Sequence, residues 1–115
     1  MAVDNLQILH IIETMEAFLE RERPPEHIRP KLDITYKIEG QSVVIYTLSP
    51  QWNNPTRTTE SAVAKATFVK SKNQWKVFWL RANLKWDPYN PKPTVKTLKS
   101  FVKLVEEDKY GCFWG

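Results

Sequence analysis

Three features of the chain predict an α+β domain: an amphipathic helical period near each end, period-two alternation between them, and hairpin-length connections among the alternating stretches. The expected order is α-β-β-β-β-α. Connections that short make consecutive strands antiparallel neighbours. The prediction is therefore an N-terminal helix, a four-stranded antiparallel meander, a C-terminal helix and an aromatic tail docked on the domain. At 115 residues the chain is the size of one domain, taken as 1–115, and a domain of this length buries roughly two-thirds of its unfolded surface.

In the first helix Ile8, Ile11, Ile12, Met15, Phe18 and Leu19 recur at helical spacing and form a broad apolar face. Asp4, with Gln7 three residues on, has the form of a capping box. Pro24-Pro25 ends the helix because a proline nitrogen has no hydrogen to donate, so it is expected over residues 4–23. Residues 31–39, "KLDITYKIE", alternate polar and apolar without a fault, as a strand with one wet face requires. Gly40 supplies a turn, and the β-branched and aromatic run 42–48 is its hairpin partner. Residues 49–59, "SPQWNNPTRTT", read as a long loop. A third strand fits 61–70, with Ala62, Ala64, Ala66 and Phe68 on one face, small enough to admit a helix closely. After a Ser71-Lys72-Asn73 turn the fourth strand runs over 74–81. Beyond Pro88, Pro91 and Pro93, Val95, Leu98, Phe101, Val102 and Val105 write a second helix, capped by Thr94 or Thr97 and ending before Gly111.

A content of 42% hydrophobic and 12% aromatic residues with three glycines excludes an intrinsically disordered chain. The longest apolar runs are far short of the roughly 20 residues needed to cross a bilayer. No cationic segment followed by an apolar one marks a secretory signal near Met1, and Cys112 is the only cysteine. One cysteine makes neither an internal disulfide nor a zinc cluster, and the expectation is a cytoplasmic protein with no membrane partner.

Charge is unevenly spread. Residues 1–26 hold two arginines against six carboxylates, a net −4, whereas residues 61–103 hold ten lysines and arginines against Asp87 alone, a net +9. A field of that shape steers a polyanion, or simply solvates one face. The basic half coincides with an aromatic one, "QWKVFWLRANLKWDPY" at 74–89. As a strand, its Trp75, Val77, Trp79 and Arg81 face one way and Lys76, Phe78 and Leu80 the other. Both faces are apolar, so the rings are either core or an exposed platform on which bases stack while cations meet phosphates. In the second helix Lys96, Lys99 and Lys103, with Lys92 just before it, fall opposite the apolar stripe as a basic ridge. The candidate nucleic-acid-binding residues, for single-stranded or duplex nucleic acid, are thus Arg81, Lys85, Lys96, Lys99, Lys103, Trp79 and Trp86. A second candidate surface, for a protein partner or a second copy of the chain, comprises Trp52 and Arg57 in the 49–59 segment with Phe113 and Trp114 in the tail "DKYGCFWG". The tail aromatics pack either on their own core or on that partner.

Catalysis has little to build on, and no catalytic, metal-ligating or cofactor-binding residue is assigned. His10 falls on the polar side of the first helix and His27 in a proline-rich connector, so no nucleophile-histidine pair is written. A constellation of Asp33, Glu39 and Glu60 with Lys65 would suit a metal-dependent nuclease, but Asp33 and Glu39 lie on the wet register of a strand, where charge is ordinary. Glycines at 40, 111 and 115 make no phosphate-binding loop.

The stretch "ESAVAKATFVKSKNQWKVFWLRANLKWDPYNPKP", with the helix after it and the terminal "DKYGCFWG", resembles a family of small bacterial proteins catalogued only as a domain of unknown function. The resemblance covers about residues 28–115, and "VAKATFVK", "WKVFWLRANLKW" and the aromatic tail carry it. Members often have histidine after the "KW" pair, where this chain has Asp87. The resemblance implies a domain, and no reaction, cofactor or partner. The expectation is a non-enzymatic binding module.

Overall fold

The Asp4 carboxylate accepts the backbone N–H of Gln7 at 2.8 Å, and from that cap the first helix, α1 (Asn5–Glu22), begins. The computed structural model describes residues 4–114; Met1, Ala2, Val3 and Gly115, the outer ends of the expected 1–115 domain, lie outside the described residues. Arg23 leaves the helix in extended conformation, as a residue before proline must. Ile11, Met15 and Phe18 are buried, with Ile8 and Leu19 against them. Full burial of such a side chain contributes about 1.5–3 kcal/mol. Ile12, expected on the same face, is exposed together with Leu6 and Leu9, because the arc of α1 that meets the sheet is narrower than its apolar face.

The first strand, β1 (Asp33–Glu39), starts two residues later than its alternation suggests. Lys31 and Leu32 instead donate their N–H groups to the carbonyl of Ile28, closing a turn that leaves Leu32 exposed. Gly40, at a φ of 61° that suits glycine, turns the chain into β2 (Ser42–Gln51). The expected loop over 49–59 is not a loop. β2 runs on to Gln51, Trp52 and Asn53 make the turn, and β3 (Asn54–Val69) returns at 16 residues. Ser49 pairs with Thr59, Pro50 with Thr58 and Gln51 with Asn54, with a bulge at the tip and a second between Ile45 and Tyr46. The outer part of this hairpin pairs with neither β1 nor the next strand, so it projects as a two-stranded ribbon.

A short 3-10 turn, Lys70–Lys72, and left-handed Asn73 lead into β4 (Gln74–Leu80). Two strands absent from the sequence reading follow. β5 (Trp86–Pro88) pairs with the Phe78 to Leu80 end of β4, and β6 (Thr94–Val95) pairs with Trp75 and Lys76. The four-stranded meander is therefore a six-stranded antiparallel sheet in the order β1-β2-β3-β4-β5, with β6 also on β4. Val95, read as helical, belongs to β6. The second helix, α2 (Leu98–Glu107), starts from Thr97, whose Oγ1 accepts the Ser100 N–H at 3.1 Å.

Registers align Tyr36, Ile45, Ala64 and Trp79 in one row and Ile38, Val43, Ala66 and Val77 in the next. Both helices pack on this face, where Leu98, Phe101, Val102 and Val105 of α2 join the residues of α1 in one core. The small alanines of β3 make room for them. Asp4, Leu6 and Leu9 at the start of α1 share a groove with Gln41, Phe68 and Asn73 at the Gly40 end of the sheet, and β6 leads into α2 from that same end. At the far end Arg21 meets Glu106 at 3.0 Å, and Arg23 holds Asp33 through two hydrogen bonds of 2.7 Å. The helices therefore run parallel, side by side.

The tail docks on α2 as expected. Asp108, in left-handed conformation at φ 38°, turns its carboxylate to accept the N–H groups of Phe113 at 3.0 Å and Trp114 at 2.9 Å. Phe113 is 6% exposed with its ring 4.8 Å from that of Tyr89, and the Trp114 indole N–H donates to the Val105 carbonyl at 2.8 Å.

Candidate functional site

With both helices on one face, the other face of the sheet carries no helix. The registers place Lys37, Val44, Lys65, Phe78 and Pro88 across it in one row, and Leu80 beside Trp86 in the next. Only 3% of Val44 is exposed, although it lies on this helix-free face between Lys37 and Lys65. The Lys65 ammonium lies 4.9 Å from the centre of the Phe78 ring and 4.9 Å from that of Trp86, held over the negative faces of both rings. Burial pulls Lys65 below the ordinary lysine range, against the opposing pull of Glu39.

Toward β1 the same face holds a polar cluster. The Tyr46 hydroxyl donates to Glu39 at 2.8 Å, Lys37 pairs with Glu60 at 2.7 Å, and the Lys37 ammonium stands 4.9 Å from the Tyr46 ring. Burial first, and the hydrogen bond to Glu39 second, push the Tyr46 hydroxyl up to about 12, so it remains a donor through the neutral range. The two carboxylates on this face are thus already engaged. The half-buried rings of Phe78 and Trp86 are left as its apolar centre, with exposed Lys76 on the same strand face as Phe78.

The structure brings together only part of each predicted set. Trp86 lies on the helix-free face, whereas Trp79 packs half-buried against the core on the other. Arg81 and Lys85 are exposed in the turn from β4 to β5, where the Arg81 N–H donates to the Lys85 carbonyl at 3.0 Å. That turn holds Leu84 at φ 64° with its side chain exposed, a left-handed leucine costing roughly 1–2 kcal/mol. Lys96, Lys99 and Lys103 are all exposed, but only Lys99 and Lys103 lie on α2, which packs on the opposite side of the sheet from Trp86; Lys96 precedes the Thr97 cap, beside β6, so the expected helical ridge of three is one of two. Trp52 is 93% exposed at the ribbon tip and Arg57 is exposed on its return strand. Phe113 is core, and Trp114 is 39% exposed on α2.

The imagined nuclease constellation is not assembled. Glu39, Glu60 and Lys65 share the helix-free face, but Asp33 is held by Arg23, which keeps its carboxyl below the usual range. Among the described residues no group of three or more His, Cys, Asp or Glu is arranged to hold a metal ion. Lys65 and Phe78 were missed as a pair. Their alternation on β3 and β4 carried the signal, but their meeting depends on a register that no local pattern specifies.

No described helix is long and apolar enough to cross a membrane. Neither the curated proteins nor the solved structures contain a match to the chain. A family model described as Domain of unknown function (DUF3024) matches residues 3–115, so the likeness extends beyond the sheet and tail to include α1. The chain belongs to that family.

Proposed function

We propose that the chain is a non-enzymatic binding module that takes single-stranded nucleic acid on the helix-free face of its sheet. The observation that carries this reading is the pair of rings, Phe78 and Trp86, presented together on an uncovered sheet face with the Lys65 ammonium 4.9 Å from each. Sheet faces of that composition bind single strands because every base has a face to stack and every phosphate a charge to meet. In this reading bases stack on Trp86 and Phe78 while Lys65, Lys76, Arg81 and Lys85 meet phosphates. Lys99 and Lys103 play no part, since α2 lies on the opposite side of the sheet.

The test is binding of short labelled single-stranded and duplex DNA and RNA across a salt series. Affinity for single strands should fall linearly with salt on logarithmic axes. Trp86→Ala should weaken binding by about 1–3 kcal/mol, the usual worth of one stacked base. Lys96→Glu/Lys99→Glu/Lys103→Glu should leave the short-strand affinity near wild type. Absence of binding at low salt, or loss in the α2 variant with none in Trp86→Ala, removes this reading.

A second reading rests on Trp52. An indole 93% exposed at the end of a projecting ribbon, with Arg57 nearby, has the composition of a protein-binding hot spot. With Phe113 in the core, that surface reduces to the ribbon tip and the exposed edge of Trp114.

A further inference from the structure

We propose that two copies of the chain associate face to face through their helix layers, about a two-fold axis parallel to α1 and α2. This does not depend on the nucleic-acid reading, because it uses the opposite side of the molecule.

The outer face of α1 carries exposed Glu13 and Glu20, and α2 carries exposed Lys99 and Lys103, with exposed Lys96 just ahead of its Thr97 cap. Among the described residues none of these five has an ion-pair partner. Within one chain they stand side by side and point away from the sheet, so they do not neutralise each other. Among the described residues the bridge between the helices, Arg21 with Glu106, has the opposite polarity and sits at their C-terminal ends. α1 carries Glu20 and Glu22 on either side of Arg21, and α2 turns acidic at Glu106 and Glu107.

Parallel neighbours of opposite charge form a self-complementary surface. A two-fold axis along the helices lays α1 of one copy over α2 of the other, parallel, and does so twice. Such an axis preserves height. Because Arg21 is level with Glu106, Glu13 of one copy comes level with Leu98 of the other, next to Lys99. Glu20 comes within a turn of Lys103. The alternative two-fold axis, across the helices, sets α1 on α1 and α2 on α2, like charge on like, and is disfavoured.

Sedimentation velocity of the full chain tests this directly. At about 0.1 M salt the species should be twice the 13.5 kDa chain, and it should dissociate toward 1 M salt, where the screening length falls from about 10 to 3 Å. Glu13→Lys/Glu20→Lys and Lys96→Glu/Lys99→Glu/Lys103→Glu change only exposed side chains, and each alone should sediment as a folded monomer by circular dichroism. Mixed in equal amounts, the two variants should recover the dimer, since each then meets its opposite on both helices. A wild type that stays monomeric at low salt overturns the proposal. So does a dimer that survives either set of reversals, or a mixture that remains monomeric.

Discussion

At the scale of single residues, the clearest dependence on solution conditions lies in the pair of Arg23 and Asp33. The guanidinium of Arg23, donating twice at 2.7 Å, holds the Asp33 carboxyl below the usual range, and the Ile34 N–H adds to it. A carboxylate with a lowered folded-state value stabilises the fold above its ordinary titration range, and that contribution is lost as pH falls through it. Asp33→Asn should therefore melt below wild type at neutral pH, and the gap should close below about pH 4. Parallel melting curves over that range check it; a gap that persists into acid means the pair acts through packing rather than charge. Phe113 offers a second residue-level outcome. Packed on Tyr89 and 6% exposed, it should cost about 3–5 kcal/mol on truncation to alanine in urea unfolding, as buried aromatics do. Trp114→Ala should cost less, since Trp114 is partly exposed and contributes mainly one hydrogen bond of about 1 kcal/mol.

At the scale of elements, legibility followed burial. α1, β1, the inner half of β2, β4 and α2 each set an apolar face against the core, and that face leaves its period in the sequence. β5 and β6 hold three and two residues among prolines, too few to show any period. Their pairing with β4 depends on long-range contact. The ribbon was invisible for the complementary reason: its Thr56, Arg57, Thr58, Thr59 and Glu60 are exposed, so nothing alternates. Of the candidate site, Trp86, Lys85 and Arg81 were readable as a local cluster. Lys65 was not, because it reaches the rings across two registers. The ribbon also yields a prediction. Replacing residues 50–58 with Asn-Gly should leave the melting temperature within a few degrees, because surface changes away from packed features usually cost under about 0.5 kcal/mol. A large loss of stability means the ribbon supports β2 and β3 rather than merely extending them.

At the scale of the molecule, the fold is one layer of helices on one sheet, and the two sides differ in kind. The helix side carries exposed carboxylates on α1 and exposed lysines on α2, the charges on which the proposed dimer rests. The sheet side is a patch of rings and cations with its carboxylates already engaged. Dimerisation through the first leaves the second free on both outer surfaces, so a dimer presents two equivalent sheet faces pointing away from each other. With both proposals together, that arrangement would raise avidity for a nucleic-acid strand long enough to reach both faces, without any new contact.

The same outline has a cost at its margin. From Asn54 to Val63 β3 has β2 on one side and no strand on the other, which leaves a row of backbone donors and acceptors open to any passing chain. Long open edges of this kind seed strand-by-strand stacking into fibres. Pro55 carries no backbone donor, and Arg57 and Glu60 place charge along the strand. These are the residue types with which sheets guard their margins. The ribbon's sequence, so featureless as a folding signal, thus makes sense as a gatekeeper against fibre growth.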